Sequence, residues 1–268
     1  MLVSLDSGAS ALEQFQQDLN VIGNNIANVD TVGYKSSSMN FADTFSQTLG
    51  SSAAGTMQVG TGVETSDIET KFTEGTLSST GVASNLAING NGFFLVQDPA
   101  TGTQYVTRDG DFSVDTSGNL ITSNGMQVMG FSGSSTTPTA LNVNNGADTS
   151  GMDSYNFSGT GKLTVTYNDG TQAVVGQVAL QNCSSPNQLV NVGNNLFSNL
   201  SAAGPLTAAV APGASGTGTL TTSSLEESNV DLSGELTDLI VAQRAYEANA
   251  KVITTSDQVL QDLTNLGR

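Results

Sequence analysis

Residues 5–35 read LDSGASALEQFQQDLNVIGNNIANVDTVGYK, and this stretch carries the strongest indication of the fold. Apolar or small residues recur in it at alternating steps of three and four: Leu5, Gly8, Leu12, Phe15, Leu19, Ile22, Ile26 and Val29. An amphipathic helix on a globular core has a wider apolar face, whereas this narrow stripe is typical of a coiled-coil seam. The pattern therefore favours a helix over residues 1–30 that pairs with other helices.

The predicted helix ends in a polar stretch, GNNIANVDTVGYK at 23–35. Gly23 weakens the helix, and the amides of Asn24, Asn25 and Asn28 can satisfy backbone groups that are freed at a helix end. Gly33 tolerates a positive φ. These asparagines are therefore candidates for ordinary C-capping residues.

A second seam lies at the other end of the chain. Its apolar residues recur every seven positions: Leu225, Leu232, Leu239, Tyr246, Ile253 and Leu260. The companion positions are less regular, because Leu236 fits the repeat while Gln243 and Asp257 are polar. The run from Leu232 to Leu266 holds no proline, and Ser228 or Asp231 can cap its start. We predict a helix of about 35 residues within 225–268 that pairs with residues 1–30.

The sequence between the two seams predicts short β-strands. Apolar runs alternate with turn signals at roughly ten-residue spacing, and Asn168-Asp169-Gly170 predicts a hairpin whose strands span 162–167 and 172–180. The predicted fold class is α+β, mainly β: a discontinuous terminal helical coiled-coil domain plus an all-β domain of short antiparallel strands, at 70–222. Residues 31–69 are predicted to connect the two, with a short helix at 39–45 (MNFADTF) and a loop at 51–56. Residues 132–150 and 201–223 are predicted to be loops or linkers.

Composition excludes several classes of function. The chain of 268 residues has 24 acidic and seven basic residues, a formal net charge of −17, which disfavours binding to nucleic acid or to an anionic membrane. The N-terminal region has no basic residue before Lys35 and no continuous apolar run, so we expect no cleaved signal peptide and no membrane insertion. Any export would then use a route that needs no cleaved signal.

Candidate catalytic and ligand sites are weak. The sequence has no histidine, and Cys183, its one cysteine, is predicted to be a small buried side chain. Residues 159–162 (GTGK) lack the upstream glycine and the hydroxyl residue of a phosphate loop, so a simple turn is favoured. Asp109, Asp111 and Asp115 suggest calcium, but the central glycine and closing glutamate are missing. We predict no catalytic residue, cofactor or metal, and no enzyme.

The sequence resembles the bacterial flagellar rod and hook family. The resemblance rests on GNNIANVDTVGYK (23–35), LAINGNGFFLV (86–96), YVTRDGDFSVDTSGNLIT (105–122) and the block at 228–266, which occur in the family's order. Within the family, NFADTFSQT at 40–48 and SNVDL followed by IVAQR look most like the hook protein in a short form.

The resemblance implies a structural subunit that polymerises into an extracellular helical tube, coupling rod to filament and transmitting torque. It also implies a location in the flagellum, hook or basal body, and partners beyond the chain itself: rod and hook–filament junction proteins, the hook cap and the flagellar export apparatus. The alternatives are a distal rod subunit and, more remotely, a secreted carbohydrate-binding or hydrolytic β protein. In the family the terminal helices pack between subunits, so we favour a subunit contact over capping for the three asparagines. The predicted interface positions are Leu5, Leu12, Phe15, Leu19, Ile22, Asn24, Asn25, Ile26, Asn28, Leu232, Leu239, Gln243, Tyr246, Ile253 and Leu260.

Overall fold

A computed structural model describes residues 2–52, 55–133, 135, 137–144, 152–204 and 209–267. The chain divides into two compact units. The first unit is Met1–Val29, Ser36–Lys71 and Val230–Arg268, and the second is Asp30–Lys35 and Phe72–Asn229. Helices at both ends and a mostly β body of short antiparallel strands confirm the predicted fold class.

The two long helices belong to the first unit. They are α1 (Leu2–Ala27) and α2 (Leu232–Leu266). Asp231 caps α2, because its carboxylate accepts a hydrogen bond from the backbone N–H of Ser233 at 3.1 Å. The predicted helix length of about 35 residues is confirmed, but the helix does not extend to 225: Leu225, the first member of the seven-residue repeat, lies in a strand. The seven-residue repeat extends before the first residue of the helix, because apolar periodicity alone does not indicate where an N-terminal cap lies.

A β-ribbon completes the first unit and replaces the predicted short helix at 39–45. Its strands are β1 (Ser37–Asp43), β2 (Ser46–Ser52), β3 (Gly55–Gly60) and β4 (Val63–Thr70); β1 pairs with β4 and β2 with β3, both antiparallel. A helix of seven residues is marginal alone, whereas β1 gains a full ladder with β4. Most of the predicted loop at 51–56 lies in β2 and β3, and residues 53–54 lie outside the described residues.

The second unit consists mainly of strands. They are β5 (Leu77–Ser79), β6 (Leu86–Asn89), β7 (Phe93–Gln97), β8 (Gln104–Thr107), β9 (Phe112–Val114), β10 (Leu120–Thr122), β11 (Gln127–Phe131), β12 (Thr139–Ala140), β13 (Met152–Phe157), β14 (Lys162–Tyr167), β15 (Gln172–Val178), β16 (Leu180–Gln181), β17 (Val190–Gly193), β18 (Leu196–Ser198), β19 (Thr219–Thr222) and β20 (Ser224–Glu226). A single 3-10 turn at Pro186–Gln188 is described among them.

The large sheet runs in the order β13-β14-β15-β11-β7-β8-β18-β17, with β9, β10, β12 and β16 attached beside this path. β19 pairs with β6 and β20 with β5 in two further antiparallel pairs. The main core contains fully buried apolar side chains from many of these strands, including Phe94, Leu120, Val128, Leu163 and Leu180. Burial of this apolar surface holds the unit together.

Several local predictions for this unit can be compared with the structure. The hairpin at 168–170 is confirmed, although β15 ends at Val178. Residues 159–161 form a turn in which the N–H of Gly161 donates to the carbonyl of Ser158 at 2.7 Å, and Lys162 begins β14. Cys183 is buried, as predicted, beside Phe93 and Phe197. The predicted loops at 132–150 and 201–223 contain β12 and β19, and their residues 134, 136, 145–150 and 205–208 lie outside the described residues.

Candidate assembly interface

The helices α1 and α2 pair in antiparallel fashion. Asn25, near the end of α1, donates its side-chain N–H to Glu235 Oε1 at 3.0 Å, near the start of α2. At the other end of the pair, Gly8 faces Ile253: a Cβ at Gly8 would lie 3.2 Å from Ile253 Cγ1. Both predicted seams therefore contribute to one contact, and Gly8 is small because Ile253 occupies the space beside it.

The predicted seam residues are only partly covered by this pairing. Ile22 is buried, and most others are half-buried: Leu5, Leu12, Phe15, Leu19, Ile26, Leu239, Ile253 and Leu260. Leu232 and Tyr246 are exposed, at 42% and 37%, and so is Gln243. The single chain thus leaves much of the predicted interface open to solvent.

The companion row of α2 lies one residue earlier than the sequence predicted. Glu235, Ala242, Asn249 and Ser256 are half-buried or buried, with Ala242 only 2% exposed, while Gln243 and Asp257 are exposed. These four residues also recur every seven positions, but only one is apolar. A search for apolar periodicity misses such a row, and heptad spacing of small and polar residues is the signal that could have found it.

Asn25 is buried within the single chain, whereas the sequence analysis predicted it at a contact between subunits. Its side chain is 1% exposed and bridges the backbone of Ser37: Nδ2 donates to the carbonyl at 2.7 Å and Oδ1 accepts from the N–H at 3.0 Å. Asn28 acts locally, since its N–H and Nδ2 both donate to the carbonyl of Asn24, at 3.2 and 2.8 Å. Asn25 therefore anchors β1 to the helix pair, and Asn28 closes the helix end.

One side of the helix pair forms a groove between α1, α2 and β1, which we call the acidic groove. Its apolar walls include Phe15, Met39 and Ala242, and its polar lining consists of Asp18, Glu235, Asp238 and Lys71. Burial raises the pKa of Asp18 and of Glu235, and the nearby negative charge of Asp238 raises both further. The groove thus holds more negative than positive charge within partly apolar walls.

Away from α1, α2 presents an exposed face, which we call the outer face. Apolar side chains there are more than two-fifths exposed: Leu236, Ile240, Val259 and Leu263. Arg244 and Lys251 are exposed on the same helix, and so are Glu247 and Asp262. Apolar side chains left exposed along one helix make this face a candidate contact with another molecule.

In the second unit, Glu226 forms a buried ionic triad with Lys35 and Arg108. Its carboxylate lies 2.5 Å from Lys35 Nζ and 3.2 Å from Arg108 Nη1, and it also accepts from the N–H of Gly75 at 3.0 Å. Glu226 is 0% exposed, and Lys35 also donates to the carbonyl of Thr73. Burial lowers the pKa of Lys35, although the Glu226 charge opposes that shift. The triad joins three chain segments that are distant in sequence.

Gly33 is required beside this triad. Its φ is +67°, and a Cβ there would lie 2.8 Å from the carbonyl carbon of Arg108. Its N–H donates to the carbonyl of Glu226 at 2.7 Å. The end of the GNNIANVDTVGYK stretch, Gly33 to Lys35, therefore belongs to the buried structure around the triad, which the sequence did not predict.

Three family models match the chain. Residues 5–35 match the flagella basal body rod protein model, residues 87–172 the flagellar hook protein FlgE/F/G D1 domain, and residues 221–266 the flagellar basal body rod FlgEFG protein C-terminal model. The flagellar basal-body rod protein FlgG of Bacillus subtilis is 41% identical over the full length of both chains. The chain belongs to the flagellar rod and hook family. This is a family of flagellar structural proteins, and among the described residues no helix has the length and apolar character needed to cross a bilayer.

Within this family, the relatives favour the rod over the hook. The FlgG rod protein of Caulobacter vibrioides is 36% identical and covers 98% of both chains. The hook protein FlgE of Salmonella typhimurium is 27% identical, and its alignment extends over 413 positions against 268 residues here. The predicted preference for a short hook protein is thus less well supported than its alternative: the length that suggested a shortened hook protein is the ordinary length of the rod relatives.

Proposed function

We propose that this chain is a subunit of the distal rod of the bacterial flagellum. The observation that carries the proposal is the end-to-end match to rod proteins of the same length, at 41% identity for the Bacillus subtilis protein. The hook relative needs a long additional segment to align. The proposal replaces our preference for the hook with the alternative that the sequence left open.

In this proposal the chain works as a building block and polymerises through its terminal helices. The half-covered seam and the exposed apolar outer face of α2 support this role, because they offer surface that burial in an assembly would stabilise. The outer face and the acidic groove lie on different sides of the helix pair. Contacts between unlike surfaces that do not close into a ring produce an open helical array, which suits a tube.

The interface positions predicted from sequence stay a proposal in modified form. We assign Leu232, Tyr246 and Gln243 to contacts between subunits, since they are exposed on the single chain. The half-buried seam residues serve the pairing of α1 with α2. The proposed partners are further copies of this chain and neighbouring proteins of the rod, with delivery by the flagellar export apparatus.

A chromosomal deletion tests the proposal, with basal bodies purified and imaged by electron microscopy. A distal rod subunit predicts arrest within the rod, and complementation with the intact gene should restore complete rods and motility. A hook subunit predicts complete rods that lack hooks, and that result would return the assignment to the hook. Normal flagella in the deletion strain would reject both assignments.

A further inference from the structure

The chain passes between its two units four times, and each passage reaches the second unit at one of three short segments. We call these segments the roots: residues 30–35, 72–75 and 226–229. The first root follows α1 and leads into β1, the second follows β4, and the third leads into α2. The covalent chain therefore carries any pull on the helices or on the β-ribbon into the second unit at the roots.

The three roots are bonded to one another around Glu226. The backbone carbonyl of Glu226 accepts from the N–H of Gly33 at 2.7 Å, and its carboxylate lies 2.5 Å from Lys35 Nζ. The same carboxylate accepts from the N–H of Gly75 at 3.0 Å, and Lys35 Nζ donates to the carbonyl of Thr73 at 2.8 Å. Each root is thus bonded to both of the others.

Arg108, which directly follows β8, links this arrangement to the large sheet. Its Nη1 lies 3.2 Å from the Glu226 carboxylate, and its Nη2 donates to the carbonyl of Gly90 at 2.9 Å. Its guanidinium also lies over the ring of Phe93, 5.2 Å from the centroid. Glu226 is 0% exposed and Lys35 is 3% exposed. Because water is excluded, these bonds reinforce one another, and loss of the shared carboxylate weakens all of them together.

We propose that the triad is a clamp on the roots, which holds all three together so that they open as one unit and only when the triad breaks. A pull on α1 or on α2 is then shared by the bonds between the first and third roots and does not peel either root from the sheet. When the carboxylate is lost, the roots open locally while the far end of the sheet stays folded. This inference goes beyond the proposed rod function, because it concerns the single chain and needs no polymer.

Limited trypsin digestion of the full chain tests the clamp, with cleavage rates measured by mass spectrometry of the fragments. Lys35 is buried in the triad, whereas Lys162 is exposed at the start of β14, and three strands of the large sheet separate β14 from β8. Cleavage reports the population of the locally opened chain when opening is fast. Glu226→Gln should raise cleavage after Lys35 about a hundredfold or more, and cleavage after Lys162 by less than about a tenth of that factor. The matched control Glu227→Gln, at an exposed residue, should change neither rate.

Hydrogen exchange of the wild-type chain tests the same claim without depending on how well the variant folds. The amides of Gly33 and Gly75 belong to different roots, and both donate to Glu226. A clamp that opens as one unit predicts that the two amides have the same protection, and the same dependence on denaturant, after correction for their intrinsic exchange rates.

Three results would overturn the clamp. Protection that differs by more than about tenfold between the two amides would show that the roots open separately. Equal increases in cleavage after Lys35 and Lys162 in Glu226→Gln would show that the triad stabilises the second unit only as a whole. Unchanged cleavage after Lys35 in that variant would show that the carboxylate does not hold the roots. None of these results bears on the rod assignment, which the deletion strain tests separately.

Discussion

Replacing Glu226 by glutamine should destabilise the second unit strongly, because the buried triad would lose its only anion. The carboxylate accepts from Lys35 and Gly75 through Oε1 and from Arg108 through Oε2. Glutamine has nearly the same shape but offers one acceptor oxygen and an NH2 group. In either orientation the NH2 faces an N–H donor, and two cations remain with no negative charge between them.

The expected magnitude follows from the burial of this site. Glu226 is 0% exposed and the side chain of Arg108 is 4% exposed, so water cannot take over the lost interactions. Breaking a buried ion pair by removing one partner typically costs about 3–5 kcal/mol, and we expect Glu226→Gln to fall in that range. The neighbouring Glu227 is exposed, and Glu227→Gln should change stability by less than about 0.5 kcal/mol.

Urea denaturation, followed by hydrogen exchange of the strands at 86–97, measures the effect where it should occur. Adding Lys35→Met to Glu226→Gln should cost less than the sum of the two single changes, because the second change removes one of the stranded cations. A Glu226→Gln variant as stable as Glu227→Gln would refute the reasoning. Strict additivity of the double variant would show that the charges do not act as a unit.

Three further changes probe the first unit. Ile253→Ala should cost less than the roughly 2–4 kcal/mol of a fully packed site, because the side chain is half-buried in the single chain. Polymer yield should fall while thermal unfolding of the β unit stays unchanged, and a melted β unit with normal polymer would contradict this. Asn25→Asp should lower the thermal stability of the helices, because it exchanges a donor for a charge beside Glu235, whereas Asn24→Asp should not. Burial raises the pKa of Glu235, so the folded chain retains a proton that the unfolded chain releases, and the helices should gain stability as pH falls from neutral towards 4.5. Asp238→Asn should weaken that dependence in circular dichroism melts without removing it, because burial is the larger cause of the raised pKa.

The helices and the β body could be predicted from the sequence because their signals are local. Apolar steps of three and four gave α1, and the turn residues gave hairpins such as the one at 168–170. The β-ribbon was missed because its stability comes from pairing β1 with β4, whose partners are about thirty residues apart: Ser37 pairs with Thr70. Local composition at 39–45 does not contain that information.

The missed parts of the candidate site have the same physical origin. Lys35, Arg108 and Glu226 are ordinary charged residues until the fold brings them together, and only Gly33 indicated that the segment had a special backbone. The companion row of α2 was displaced by one residue because Ala242 and Asn249 pack well without being strongly apolar. Apolar periodicity finds a seam, but packing decides which side of each helix closes against the other.

Residues of the polar stretch at 23–35 therefore stabilise the fold of each unit, and any contribution to assembly depends on that fold. Asn25 ties the end of α1 to β1 and α2, and Lys35 completes the triad in the second unit. Substitutions there should impair the single chain, whereas substitutions at exposed Leu232 or Tyr246 should spare the chain and impair the polymer. The two classes can be told apart by one comparison, the stability of the monomer against its critical concentration. This separation follows from burial: groups enclosed within one chain stabilise its fold, and exposed apolar or charged groups gain partners only when a second copy binds.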